Sequence, residues 1–106
     1  MGKYLLQASY TQEGLTGLVK EGGTSRRAAL AAAIEGAGGS LESLYFAFGK
    51  TDLIITADLP DDAAATAVSL AIGSAGALSV SVTVLVTPET VDQAVAMNVP
   101  YRPPGA

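Results

Sequence analysis

The chain has 106 residues, a length typical of a single domain with one hydrophobic core. Charged residues make up only 15% of it, against about 25% in an ordinary domain, and hydrophobic residues make up 49%. The formal net charge of −4 excludes nucleic acid and the membrane surface as expected partners, because both bind basic patches. We expect a homodimer or a higher homo-oligomer, in which a partner copy covers part of this weakly charged surface.

Two residue types that often carry chemistry are missing. The chain contains no histidine and no cysteine, which excludes disulfides, thiolate catalysis and the most frequent ligands of zinc and haem iron. We therefore expect no metal and no cofactor. The N-terminal residues turn polar at once, and no apolar stretch is long enough to span a bilayer. We expect a cytoplasmic protein without a secretory signal.

The first part of the chain predicts a strand, a connection and a helix. The strand covers residues 3–10 and alternates between two faces. A glycine-punctuated connection over residues 11–23 follows, in which we expect one short helical turn. Thr24 or Ser25 then caps an alanine-rich helix, which the glycine pair at 38–39 ends.

A hairpin and the start of a second helix follow. Residues 40–48 and 52–59 are predicted to be strands, because each is rich in apolar residues and only a short turn separates them. Pro60 ends the second strand, and Asp61 or Asp62 caps the helix after it. This position explains both aspartates as helix caps, so we assign them no metal.

The last part predicts one more strand, a short helix and a tail. The strand covers residues 78–87 and alternates strictly, and Pro88 is typical of the first position of a helix. That helix is expected over residues 88–97. We predict one domain over residues 1–98 and an extended, proline-rich tail over residues 99–106.

The order of these elements is βαββαβ with a final helix. It is typical of an α+β, ferredoxin-like fold with an antiparallel sheet and both main helices on one face. Alternation places the valines of the last strand under the helices. Tyr10 and Tyr45 either lie there as core residues or line a pocket with their hydroxyls. The other face is expected to be uncovered, mixed in polarity and suited to pairing with a second sheet. Its expected residues are Leu5, Gln7, Ser9, Leu44, Phe46, Phe48, Ile54, Thr56, Ser81, Thr83 and Leu85.

Most of the candidate site residues lie on or beside this face. The candidate ligand-binding residues are Gln7, Ser9, Arg26, Phe46, Phe48, Asp52, Thr56, Ser81 and Thr83. Asp52 and Tyr45 are the candidate catalytic groups. Asp52 is either a carboxylate at a cavity rim, as general base or hydrogen-bond acceptor, or a cap of the hairpin turn. Arg26 opposes the dipole in its helix's first turn, so it pairs with an acid, binds an anionic ligand or is a solvated surface residue.

A series of short motifs along the chain occurs in a distinctive order. The run TQEGL follows the first strand, Gly49-Lys50-Thr51-Asp52 follows an aromatic strand, and Pro-Asp-Asp precedes an alanine-rich helix. This pattern, over roughly residues 2–90, resembles the GYD-domain family. Thr51 stands where the family's namesake motif usually has tyrosine, so the chain lacks a phenol there. The residues that fit the family pattern are Gly14, Arg26, Gly38, Gly39, Tyr45, Gly49, Asp52, Pro60, Asp61, Asp62 and Gly76.

The resemblance implies a fold similar to that of the dimeric α+β barrel proteins, whose sheets pair face to face. We expect a homo-oligomeric small-molecule-binding or regulatory module with a cavity between its paired sheets. One alternative is a small cofactor-independent enzyme, such as a monooxygenase, isomerase or cyclase, which the absence of histidine disfavours. The other alternative is a purely structural assembly subunit.

Overall fold

The computed structural model describes residues 2–106 as a four-stranded antiparallel sheet with four helices, which confirms the predicted α+β, ferredoxin-like fold. The elements in chain order are β1 (Gly2–Tyr10), α1 (Gln12–Glu21), α2 (Gly23–Gly36), β2 (Ser40–Phe46), β3 (Leu53–Leu59), α3 (Asp62–Ser74), β4 (Leu78–Leu85) and α4 (Pro88–Val95). The strand order is β2-β3-β1-β4, so β2 and β4 are the two edges of the sheet. None of the helices in the described part of the chain is both long enough and apolar enough to cross a membrane.

The core lies between one face of the sheet and the helices. Alternate residues of β1 and β3 are buried, because only one sheet face is covered, and Leu30 and Ile34 of α2 pack onto that face. The buried apolar residues are Tyr4, Leu6, Ala8, Leu30, Ile34, Leu53, Ile55, Ala57, Leu59, Ala65, Val68 and Leu78. Full burial of a leucine, isoleucine or valine side chain contributes about 1.5–3 kcal/mol, so this single layer stabilises the fold.

The connection after β1 is a full helix, and the prediction of one short helical turn is wrong. The side chain of Thr11 caps α1 by accepting a hydrogen bond from the N–H of Gly14 at 3.1 Å. Gly14 suggests a loop in the sequence, but it is there for packing. A Cβ at this residue would lie 2.1 Å from the carbonyl oxygen of Ala77, so only glycine lets α1 approach the start of β4.

The start of α2 also differs from the prediction. Gly22, with a φ of 88°, turns the chain from α1 directly into α2, and no side chain caps the new helix. Thr24 and Ser25 therefore lie inside the first turn, and neither is the cap that was predicted. The end of the helix is as expected, because Gly38 has a φ of 90° and its N–H bonds to the carbonyl of Glu35.

A β-bulge in β2 reverses the predicted faces of that strand. The pairing with β3 shifts register between Leu41 and Ser43, which leaves Glu42 as an extra residue. After the bulge, Leu44 lies opposite Ile55 and Phe46 opposite Leu53, so both side chains pack against the core. Tyr45 instead points to the uncovered face and is 71% exposed. The placements of Leu44 and Phe46 on the open face, and of Tyr45 in the core, are therefore wrong.

The second half of the chain largely follows the predictions. Asp61 is the cap of α3 and accepts a hydrogen bond from the N–H of Ala64 at 2.8 Å. Thr87 caps α4, whose first residue is Pro88. The strand β4 ends at Leu85, two residues earlier than predicted. The helices cover only the first half of this strand, so Val84 and Val86 are exposed. The prediction that these two valines pack under the helices is wrong.

Candidate functional site

The sheet face opposite α1, α2 and α3 has no helix packed on it among residues 2–106. We call this surface the open face. Two cross-strand rows form its centre, and the register of the strands gives their order from β2 to β4. The first row is Ser43, Thr56, Leu5 and Thr83, and the second is Tyr45, Ile54, Gln7 and Ser81. The structure therefore brings together the predicted site residues Gln7, Thr56, Ser81 and Thr83.

The centre of the open face combines hydroxyl groups with apolar side chains. The hydroxyls of Ser43 and Thr56 are hydrogen-bonded to each other at 2.5 Å, and Ser81 Oγ lies 3.5 Å from the carbonyl oxygen of Gln7. The side-chain amide of Gln7 and the hydroxyl of Thr83 have no hydrogen-bond partner within the described chain. These two groups remain available to a molecule that lies on the sheet.

The charged residues of the open face lie at its two ends, and one end carries Lys3, Glu42 and Asp58. Lys3 Nζ lies 2.5 Å from a carboxylate oxygen of Glu42, the bulged residue, and 3.8 Å from one of Asp58. The hydrogen bond to Glu42, supported by the charges of Glu42 and Asp58, raises the pKa of Lys3 above its ordinary value. None of the eight residues in the two central rows is charged, so the centre of the face is electrically neutral.

Asp52 lies at the other end of the open face, beside Ser9, and holds two strands together. Its N–H donates to the carbonyl of Ala8, and its Oδ2 accepts the N–H of Tyr10, both at 2.9 Å. The carboxylate thus completes the ladder between the start of β3 and the end of β1. One of the two predictions was that Asp52 caps its own hairpin turn. The carboxylate instead accepts an N–H of β1, so its role is structural but joins two strands.

Phe46 and Phe48 lie apart from the open face, in a depression at the β2 edge. Their rings stack with centroids 5.9 Å apart and planes within 8°. Phe48 holds a φ of 49°, which bulky residues rarely adopt, so the stack fixes a costly backbone conformation. Two adjoining cavities of about 310 and 270 Å³ share Phe46 and Gly23. We call them together the β2-edge cleft, which is lined by Leu18, Gly23, Thr24, Arg27, Leu44, Tyr45, Phe46 and Phe48.

The two arginines at the start of α2 have different surroundings. Arg26 lies 3.7 Å from a carboxylate oxygen of Glu21 and faces the groove between α2 and α3, away from the other predicted site residues. The acid partner was one of the predicted explanations for this arginine. Arg27 lines the β2-edge cleft and forms no salt bridge in the part of the chain that the structure describes. Arg27 was not among the predicted site residues, because its place at the cleft depends on the bulge that turns Phe46 toward α2.

Two tyrosines of β1, Tyr4 and Tyr10, have hydroxyl groups in surroundings that the sequence did not predict. Tyr4 lies in the core, and its hydroxyl donates a hydrogen bond to Asp62 Oδ1 at 2.7 Å. This hydrogen bond, with burial and the charge of Asp62, raises the pKa of Tyr4 to about 12. Tyr10 packs against the core as predicted, but its buried hydroxyl has no hydrogen-bond partner within residues 2–106.

Comparison with known proteins places the chain in a family and gives no closer relative. The family model described as GYD domain matches residues 4–95, which include every described strand and helix except the first two residues of β1. No curated protein matches the chain. No solved structure matches it either.

Proposed function

The chain belongs to the GYD-domain family, and from this premise we propose that it is a homo-oligomeric binding module that holds a small molecule between paired open faces. The uncovered sheet face carries the proposal. Leu5 and Ile54 at its centre are only half-buried, although every residue beneath them on the helix side is in the core. A second copy that covers this face removes apolar surface from water without any rearrangement of the fold.

The chemistry of the open face indicates the class of molecule. The free groups at its centre are the amide of Gln7 and the hydroxyls of Thr83 and Tyr45, set beside apolar Leu5 and Ile54. Pockets for small molecules typically place a small number of polar groups among apolar side chains. The charged residues lie at the ends of the face, and none of the eight residues in its two central rows is charged. We therefore propose a small, uncharged ligand that makes hydrogen bonds.

Binding is favoured over catalysis by the state of the candidate acid–base group. Asp52 uses one carboxylate oxygen to accept the N–H of Tyr10, and its own N–H is bonded to Ala8. A group that acts as general base needs an oxygen directed at its substrate. Tyr45 has an exposed hydroxyl on the open face, which suits hydrogen bonding to a ligand.

The proposal is tested by the mass of the protein in solution. Light scattering at micromolar concentration should give at least a dimer for the wild-type chain. Leu5→Arg places a charge at the centre of the open face and should give a monomer. The matched control is Ala32→Arg on the exposed side of α2, which should leave the mass unchanged. A monomeric wild type, or an oligomeric Leu5→Arg variant, would refute the pairing of open faces.

The ligand is tested separately from the assembly. Native mass spectrometry of the purified wild-type oligomer should detect a co-purified small molecule. Gln7→Leu removes the free amide at similar volume, so it should lose this molecule while the oligomer mass remains. An oligomer from which Gln7→Leu removes nothing would support the alternative of a structural subunit.

A further inference from the structure

The C-terminal part of the chain extends away from the rest of the molecule. We call α4 and residues 96–106 the C-terminal arm, and every residue of it is exposed. The radius of gyration is 16.9 Å, against about 13 Å for a compact chain of 100 residues. The arm therefore projects from the domain instead of packing on it.

The helix of the arm is encoded by local signals but is too short to be stable alone. The side chain of Thr87 accepts the N–H of Thr90 at 3.2 Å, and Pro88 fits the first position of the helix. A helix shorter than about 12 residues is marginal in water without tertiary contacts. Residues that specify such a helix imply a surface on which it folds.

The arm is amphipathic. Val91 and Val95 are four residues apart and lie on one side of α4, and Val95 is 79% exposed. Met97 continues the apolar surface beyond the helix, and it is exposed as well. The only charged residues of α4 are acidic, Glu89 and Asp92. The helix of the arm thus offers an apolar stripe beside negative charge, and Arg102 in the tail is the arm's one basic residue.

The β2-edge cleft has the opposite character. Its walls are apolar, with Leu18 and the stacked rings of Phe46 and Phe48. Arg27 is the one charged residue among those that line it, and it forms no salt bridge in the part of the chain that the structure describes. Apolar surface and charge therefore both complement the arm.

The topology separates the arm from the cleft of its own chain. The arm follows β4, and the cleft lies at β2, the opposite edge of the sheet. Three strand spacings, about 14 Å in total, lie between these edges. The arm leaves next to Leu85, at the border of the open face, so a partner copy paired through that face lies within its reach.

We propose that the C-terminal arm of one copy docks in the β2-edge cleft of a second copy, with its apolar stripe against the two phenylalanine rings and its acidic side toward Arg27. The inference rests on the proposed self-association, but not on the proposed ligand. The area of the sheet supports it. The four strands are seven to nine residues long and cover roughly 500 Å² in projection. A standard protein interface buries about 800 Å² on each partner, so the open face needs a further contact.

Cross-linking between chains tests the arm directly, because the natural chain contains no cysteine. Ala94→Cys lies on the apolar side of α4, and Thr24→Cys lies in the cleft. A mixture of these two full-length variants, treated with a short bis-maleimide, should give a covalent dimer. The control pairs Ala94→Cys with Ala32→Cys, on the exposed side of α2 away from the cleft. Its product should form several-fold more slowly.

The charge of the cleft gives a second measurement. In the Thr24→Cys background, Arg27→Glu should slow the cross-link several-fold, whereas Arg27→Lys should leave it near its original rate. Equal rates for these two variants would overturn the charge complementarity. Equal rates for Thr24→Cys and Ala32→Cys would overturn docking in the cleft. A chain with both Ala94→Cys and Thr24→Cys that cross-links internally at high dilution would overturn the choice of a second copy.

The failure of the arm can be told apart from the failure of the open-face pairing. If only the arm inference is wrong, light scattering still gives an oligomer, and the Thr24→Cys mixture gives no product above the control. If the pairing itself is wrong, the wild-type chain is monomeric by light scattering. That result overturns both proposals together.

Discussion

Replacing Asp52 with alanine should lower stability much more than a surface substitution does. The change removes the acceptor that holds the Tyr10 N–H at 2.9 Å and leaves that N–H without its partner at the end of β1. Hydrogen bonds to charged groups contribute about 1.5–3 kcal/mol. Because Asp52 is only half-buried, water replaces part of this interaction, and we expect a loss of about 1–2 kcal/mol. Asp52→Asn keeps an oxygen acceptor, so it should lose about half as much.

Urea unfolding, followed by far-UV circular dichroism, measures this loss. All variants should be compared at one protein concentration, because association stabilises the folded chain by mass action. The control is Glu35→Ala, which removes an exposed acidic side chain of α2 and should change stability by less than about 0.5 kcal/mol. If Asp52→Ala unfolds at the same urea concentration as the wild type, then the carboxylate is not a structural clamp. That result would return Asp52 to the candidate catalytic groups.

Three further predictions concern single residues in or beside the core. Gly14→Ala should destabilise by at least about 2 kcal/mol, because its Cβ would lie 2.1 Å from the Ala77 oxygen, and unchanged urea unfolding would contradict this packing. Tyr4 should ionise near pH 12, above its ordinary 10.0, in a tyrosinate absorbance titration. Its raised pKa adds stability that is complete below pH 10 and is lost as the pH rises toward 12, and Asp62→Asn should lower this pKa. Tyr10→Phe removes a buried hydroxyl without a partner in the described chain, so thermal melting should show no loss and up to about 1 kcal/mol of gain. A clear loss would reveal an acceptor for that hydroxyl.

Local patterns predicted most of the fold because their physical causes lie within a few residues. The strands β1 and β3 alternate with period two, and one covered face turns that alternation directly into burial. Asp61 caps α3, and Pro88 begins α4, because both effects involve only the first turn of the helix. The open face of the two central strands was therefore predicted correctly from the sequence.

The errors arose where a residue's role depends on a distant part of the chain. The bulge at Glu42 follows from the pairing of β2 with β3, and it changed the face of Tyr45. Gly14 favoured a loop over a helix in the prediction. Its actual cause is the close approach of Ala77, which lies far along the chain and leaves no signal in the neighbouring sequence. The contact between Asp52 and Tyr10 joins residues 42 positions apart. The β2-edge cleft depends on the bulge, so it could not be predicted before the structure.

The edge strand β4 has a consequence for how the protein is handled. Residues 79–84 alternate serine or threonine with valine, and residues 79–86 contain no charge and no proline. Natural edge strands usually carry charged residues or proline, because these prevent other chains from adding to the sheet. A separated subunit therefore presents an unprotected template for cross-β growth. Variants designed to be monomeric, such as Leu5→Arg, should be kept dilute, and a lysine on the exposed side of β4 is the natural remedy for fibril formation.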